Sequence, residues 1–267
     1  MAILKILSKA NKKLWQLGQP LIKKPKYSQS QISDLFIWRD ALNWKTFFEL
    51  INVPSIFDNN IENSKVKIVF FKDNGEEFFS DYIDLIANYR QKIDISKILI
   101  NIKKKQSIGE IGTFAVFHSH TPEIILKLGS YMSECGYVSY KYNKAPLNSY
   151  VHGNFEAIAY YNNNFEMLSG SSIFKRKYNL QYSLNPLKLY EILLTNISNK
   201  IHKVSFLVLD INCNKIIKNT FYIESKGSFI FKIKNSKAKR LIIESRLIMA
   251  RPVVFEINKN NLNVFHG

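Results

Sequence analysis

His118 and His120 flank Ser119 in Phe117-His118-Ser119-His120. If this stretch is extended, both imidazoles point to one face and can ligate a single metal ion. Adding His152 gives a three-histidine set, His118, His120 and His152, and Glu123 or Glu156 adds the carboxylate that often completes a transition-metal site. The chemistry on offer is that of an enzyme using one divalent transition metal. A structural reading competes with it. His152-Gly153 and His266-Gly267 close two similar stretches, where each imidazole would bond the backbone of its own unit and Gly would supply a left-handed backbone. His202, in Asn199-Lys200-Ile201-His202, reads as an exposed loop residue. Ser119 lies between two histidines, but neighbouring strand residues face opposite sides, so neither activates it. No nucleophile elbow, P-loop, dinucleotide fingerprint or zinc-protease motif is present.

A second set of residues suits binding without catalysis. Tyr131, Tyr137, Tyr140, Tyr142 and Tyr150 are interleaved with Lys141, Lys144 and Asn148. With His152 and His266 they would form a platform for stacking on a sugar or a protein partner. Some of these rings belong to the core, because alternate positions of a half-buried strand must be apolar. The order His118, His120, Glu123 and later His152 faintly resembles a cupin's paired histidines, glutamate and distant histidine, which implies a metal-dependent enzyme. The His-to-Glu spacing is short, the Gly-rich second motif is missing and the intervening segment reads as a helix. The resemblance therefore identifies no family.

The elements that must position these groups are mostly strands. Tyr137–Tyr150 lies over Pro252–Phe265 without a gap, Ala115–Ser119 over Leu241–Ser245, and Lys65–Asn74 over Lys203–Asn212. Three matches in one order predict an internal duplication. Short segments rich in Ile, Val, Phe and Tyr recur with turn signals between them, seven or so to a unit. The predicted fold is two similar antiparallel β-sandwich units, Ig-like or jelly-roll-like. Residues 34–170 form the first unit and 171–267 the second. Asp73-Asn74-Gly75 reads as a hairpin turn, and Glu123–Glu134 as a short inserted helix starting after Pro122. Function is expected at the junction, where pockets between domains concentrate.

Residues 1–33 are read apart from this core, as a basic amphipathic helix and a linker. They hold seven Lys and no acid, with Ile3, Leu7, Ala10, Leu14, Leu17 and Leu21 on one helical face. Such a helix lies on an anionic membrane surface, docks on its own protein, or serves as a targeting segment. The net charge of +17 invites a nucleic-acid partner, yet only six of the 38 basic residues are Arg, and no recognition module is present, so nucleic acid is not expected. Cys135 and Cys213 are too few for a disulfide framework. The expectation is a cytoplasmic protein, peripheral to a membrane through residues 1–26. Removing residues 1–26 is expected to abolish binding to anionic vesicles without unfolding the chain. Unchanged vesicle co-sedimentation, or loss of the folded near-UV spectrum, would contradict this.

Overall fold

A computed structural model describes residues 23–58, 63–143, 145–248, 252–258 and 261–267. The N-terminal helix expected from the sequence falls on residues outside that set. Residues 23–30, expected to be a linker, are docked. The Lys23 amide donates to the Leu168 carbonyl at 2.8 Å, the Lys26 amide donates to Glu166, and Pro25 and Ser30 are buried.

The chain is mostly β, in antiparallel sheets. The largest sheet has the order β11 (Asn164–Met167), β10 (Asn154–Tyr161), β1 (Gln31–Arg39), β6 (Ile111–His118), β3 (Asn63–Lys72) and β4 (Glu77–Ile86), with β7 (Met132–Glu134) lying parallel to β1. Facing it is a sheet of β5 (Arg90–Asp94), β2 (Trp44–Ile51), β8 (Tyr137–Tyr142) and β9 (Ser149–His152). Phe36, Phe70 and Phe114 from the first meet Phe48 from the second, with Phe36 and Phe48 ring centroids 4.6 Å apart. The later half holds β12 (Ser171–Asn179), β17 (Arg240–Leu247), β14 (His202–Leu209) and β15 (Lys215–Ile223). These face β16 (Ser228–Ile233), β13 (Leu189–Thr195), β18 (Val253–Asn258) and β19 (Asn261–His266), with Phe206 stacked on Phe231. Counted along each half, the strand orders β1-β6-β3-β4 and β12-β17-β14-β15 coincide. So do β5-β2-β8-β9 and β16-β13-β18-β19 once β7 is left out of the count.

Register departs from the sequence matches. Val66 and Val204 both face a core. Opposite Val66 stands His118, and opposite Val204 stands Ser245. The match that set His118 over Glu244 is therefore one residue out, and a slip of one turns every side chain to the wrong face. The same holds for Val138, opposite Phe48, whose inward-facing counterpart is Val254, opposite Ile192, and not Val253. His152 and His266 do occupy equivalent places, opposite Tyr137 and Val253.

Helices also differ from expectation. The inserted helix is α3 (Glu123–Lys127), followed by Gly129 at φ +63°, and the chain then extends into β7 instead of continuing helical to Glu134. A short α1 (Val53–Phe57) and the longer α2 (Ile95–Lys103) were not expected. Helix α2 is capped by the Asp94 carboxylate, which accepts from the Lys97 amide, and it buries Ile95, Leu99 and Ile102.

The β16-β13-β18-β19 sheet is buried on both faces. Ile192, Leu194 and Val254 pack into the later core, while Leu193, Val253, Phe255 and Ile257 pack against Trp44 and Tyr140 of the earlier half. At this seam Arg39 pairs with Glu191, with side chains only 5% and 4% exposed, and its guanidinium lies 3.8 Å from the Trp44 ring centroid. Lys232 Nζ lies 3.4 Å from the other Glu191 oxygen, so Glu191 keeps one cation if Arg39 is lost, whereas loss of Glu191 strands the Arg39 guanidinium. Glu191→Gln is therefore expected to cost about 3–5 kcal/mol in urea unfolding, Arg39→Ala less, and Arg39→Met/Glu191→Leu less than Glu191→Gln. A double variant as unstable as Glu191→Gln would show that packing, not pairing, dominates.

Strand β1 pairs β10 as far as Leu35, across a shift in register between Ser33 and Leu35, and pairs β6 from Phe36 onward. There Ser33 Oγ accepts the Val116 amide at 2.9 Å, and the Asp34 carboxylate accepts the Glu156 amide. Burial pushes Asp34 up to about 6, against the opposing pull of that amide and of His152. The folded state thus holds a proton that the unfolded chain releases near pH 4. Stability must fall as pH rises from about 4 to 6, by on the order of 3 kcal/mol. Asp34→Asn keeps the acceptor and is expected to raise the melting temperature at pH 7 while leaving it unchanged at pH 4.

Candidate functional site

Among the described residues no three His, Cys, Asp or Glu side chains form a group able to hold a metal ion. The reason lies in what the histidines do. His118, at the end of β6, is 1% exposed, and its Nε2 lies 2.7 Å from the Glu134 carboxylate on β7. His120 is exposed beyond the strand. At the ends of β9 and β19, His152 Nδ1–H donates to the Gly153 carbonyl at 3.0 Å. His266 Nε2–H reaches the His152 carbonyl at 3.1 Å, and the two rings lie 4.5 Å apart. The second bond thus crosses between the halves instead of staying within one. Neither glycine of the two His-Gly pairs has a left-handed φ. Gly153 is needed for closeness instead, because a Cβ there would lie 2.5 Å from Asp34 Cβ, while one at Gly267 would meet the Leu180 side-chain tip at 2.1 Å. His202, expected in an exposed loop, is buried at the start of β14 with Nε2 2.9 Å from Ser171 Oγ.

The five tyrosines separate by burial. Tyr140 is fully buried and donates to the Ile37 carbonyl at 2.8 Å. It is a core anchor and cannot meet a ligand. Tyr142 stacks on Trp44, and Tyr131 packs against Ile32, Ala159 and Leu168. Tyr137 and Tyr150 remain, 56% and 45% exposed, on neighbouring strands of one sheet face. With Glu49, Leu50, Ile51 and Arg90 they line a depression of about 410 Å³. Glu49 is buried and held by Arg90, by Lys92 at 3.7 Å and by the Tyr150 hydroxyl, which donates at 3.2 Å.

Tyr150 is also the wall of a second depression, of about 420 Å³, shared with Tyr182, Glu256, Asn263 and Phe265 across the seam. Glu256 borders a third, of about 360 Å³, between the Ala145–Ser149 loop and Lys188, Asn258 and Asn261. Burial alone would raise the Glu256 pKa. Bonds from Lys188, Tyr182, Asn263 and Tyr190, all between 2.7 and 2.9 Å, outweigh it and hold the carboxyl at about 2. Sequence reading missed Glu256, Lys188 and Tyr182. Their only advance signal was a Glu inside the apolar run Val253–Ile257, where a charge must find partners. Desolvation and the Asp34 carboxylate push the thiol of Cys135 up to about 11.

No protein-family model and no curated protein matches this sequence. Solved structures similar to it include that of infectious bursal disease virus Gx strain, at 10% identity and TM-score 0.15, covering 87% of this chain and 57% of that one. A glycosyl hydrolase family 2 member from Bacteroides cellulosilyticus is 6% identical at TM-score 0.14, covering 93% of this chain and 29% of that one. A β-glucuronidase from glycoside hydrolase family 2 is 10% identical at TM-score 0.13, with 85% and 24% covered. In each case the chain spans less than two thirds of the neighbour's length, and likenesses this weak carry no argument.

Proposed function

We propose that this is a non-catalytic glycan-binding protein made of two copies of one β-sandwich unit, with its ligand groove along the seam between them. The observation that carries the reading is Tyr150. Its half-exposed ring is the shared wall of two depressions, flanked by Tyr137 in one and Tyr182 in the other. Exposed rings in such a row suit the flat apolar faces of sugar rings. Ionised groups at either end, Arg90 with Glu49 and Lys188 with Glu256, suit sugar hydroxyls.

The duplication is supported by the shared strand order and by the equivalent places of His152 and His266. The pairing of second with fifth strand and third with sixth in each unit favours an Ig-like over a jelly-roll-like class. The first strand pairs with the sixth, and the seventh with the second, which departs from that class. The basic residues 1–26 would hold the protein at an anionic membrane surface.

Screening immobilised oligosaccharides and titrating the hits by NMR tests the reading. Tyr150→Ala is expected to weaken binding at least about tenfold, the equivalent of one good stacking contact, with Tyr137→Ala close behind. Tyr222→Ala, exposed on another sheet, should bind normally. No oligosaccharide hit, or binding indifferent to Tyr150, would reject it.

A further inference from the structure

The outer face of the β12-β17-β14-β15 sheet carries a groove of about 680 Å³, within the range of small-ligand sites. Lys175, Lys200, Lys203 and Arg246 line it, against a single carboxylate, Glu244. That carboxylate is taken by Lys175 and, at 3.7 Å, by Lys177. Among the described residues Lys200, Lys203 and Arg246 have no ion-pair partner. Beside them lie small polar groups that are already bonded within the protein. His202 shares a bond with Ser171, Ser205 Oγ lies 2.9 Å from Thr220 Oγ1, and Ser245 Oγ donates to the Lys203 carbonyl.

The corresponding face in the other half is built differently. There Phe71 and Phe117 are covered by Phe165 from the β10–β11 hairpin. Among the described residues the later half has no such cover, and its equivalent surface is basic and open. The cations also converge. Burial, reinforced by the charges of Lys200 and Arg246, depresses the His202 pKa. Unpaired positive charge gathered on a concave face is an arrangement that binds tetrahedral oxyanions.

We infer that this groove binds a small ligand bearing phosphate or sulfate groups, held by Lys200, Lys203 and Arg246. Calorimetric titration of the full chain with tripolyphosphate at low salt tests this, alongside a sulfated disaccharide and a single-stranded oligonucleotide. The expected result is saturable one-to-one binding of either small anion, weakened about tenfold or more in Lys203→Ala/Arg246→Ala. Whichever of the two binds tighter names the oxyanion. Lys104→Ala/Lys105→Ala, which removes the same charge from an exposed site beyond α2, should change little. Three outcomes would overturn the inference. These are no saturable binding of either small anion, equal losses in both double variants, and oligonucleotide binding more than tenfold tighter through the same residues. Equal losses would mean only net charge was sensed, and the last outcome would make the groove part of a nucleic-acid surface. Thermal unfolding of each variant separates a lost site from a lost fold.

Discussion

The arrangement of the two halves depends on one desolvated charge. Arg39 ends β1 with its guanidinium over Trp44, 5.5 Å from the Phe255 ring, and against Glu191. Its backbone is fixed as well, since Thr46 Oγ1 both accepts the Arg39 amide and donates to its carbonyl. A pair buried this deeply contributes little net stability, because desolvating both ions offsets their attraction. What it contributes is orientation. Sliding or rotating either half would leave the Arg39 guanidinium unpaired among aromatic rings, while Glu191 would keep only Lys232, 3.4 Å from its other oxygen, a cost that a purely apolar seam would not impose. The groove proposed for glycan crosses the same seam, so the position of Tyr150 relative to Tyr182 depends on this pair.

A sheet buried on both faces follows from that arrangement, and it explains what sequence could and could not show. A strand with one solvated face alternates, whereas one packed on both sides reads as a continuous apolar run. Tyr190–Leu194 and Val253–Ile257 are such runs, interrupted only by Glu191 and Glu256. Their strand character was legible from β-branched and aromatic content. Their facing was not, because without alternation nothing in the sequence distinguishes the two sides. The off-by-one match of Tyr137–Tyr150 to Pro252–Phe265 has this origin. The two interrupting carboxylates mark the polar centres of the seam, one paired with Arg39 and one gathering Lys188, Tyr182, Tyr190 and Asn263.

Helix α2 shows the opposite failure. Asp94 at its start and Ile95, Leu99 and Ile102 at helical spacing were present in the sequence. The β-branched isoleucines lower helix propensity, and tertiary burial outweighed that. The three histidines are not brought together among the described residues, for another reason. His118, His120 and His152 are close in the pattern, but a buried imidazole needs a partner, and the partner turned out to be Glu134. Tyr140 reads like its neighbours until packing is known, because a tyrosine in a strand serves equally as core or as platform. Only the exposure of Tyr137 and Tyr150 separates the two uses.

Equivalent positions in the two halves show how extra elements divide the labour between them. His118 and Ser245 stand at the same place in their ladders, opposite Val66 and Val204. Each buries a polar side chain at the edge of a core. Ser245 is small enough to bond the Lys203 carbonyl of the adjacent strand. His118 instead bonds Glu134 on β7, a strand without a counterpart in the later half. The same contrast governs the outer faces. Strands β10 and β11 cover the earlier one, so its residues must be apolar, while the later one meets water and is free to carry charge. Among the described residues, β10 and β11 thus cover the outer face in the earlier half, and the corresponding face of the later half is left open. That face is where residues not needed for folding can be given to binding.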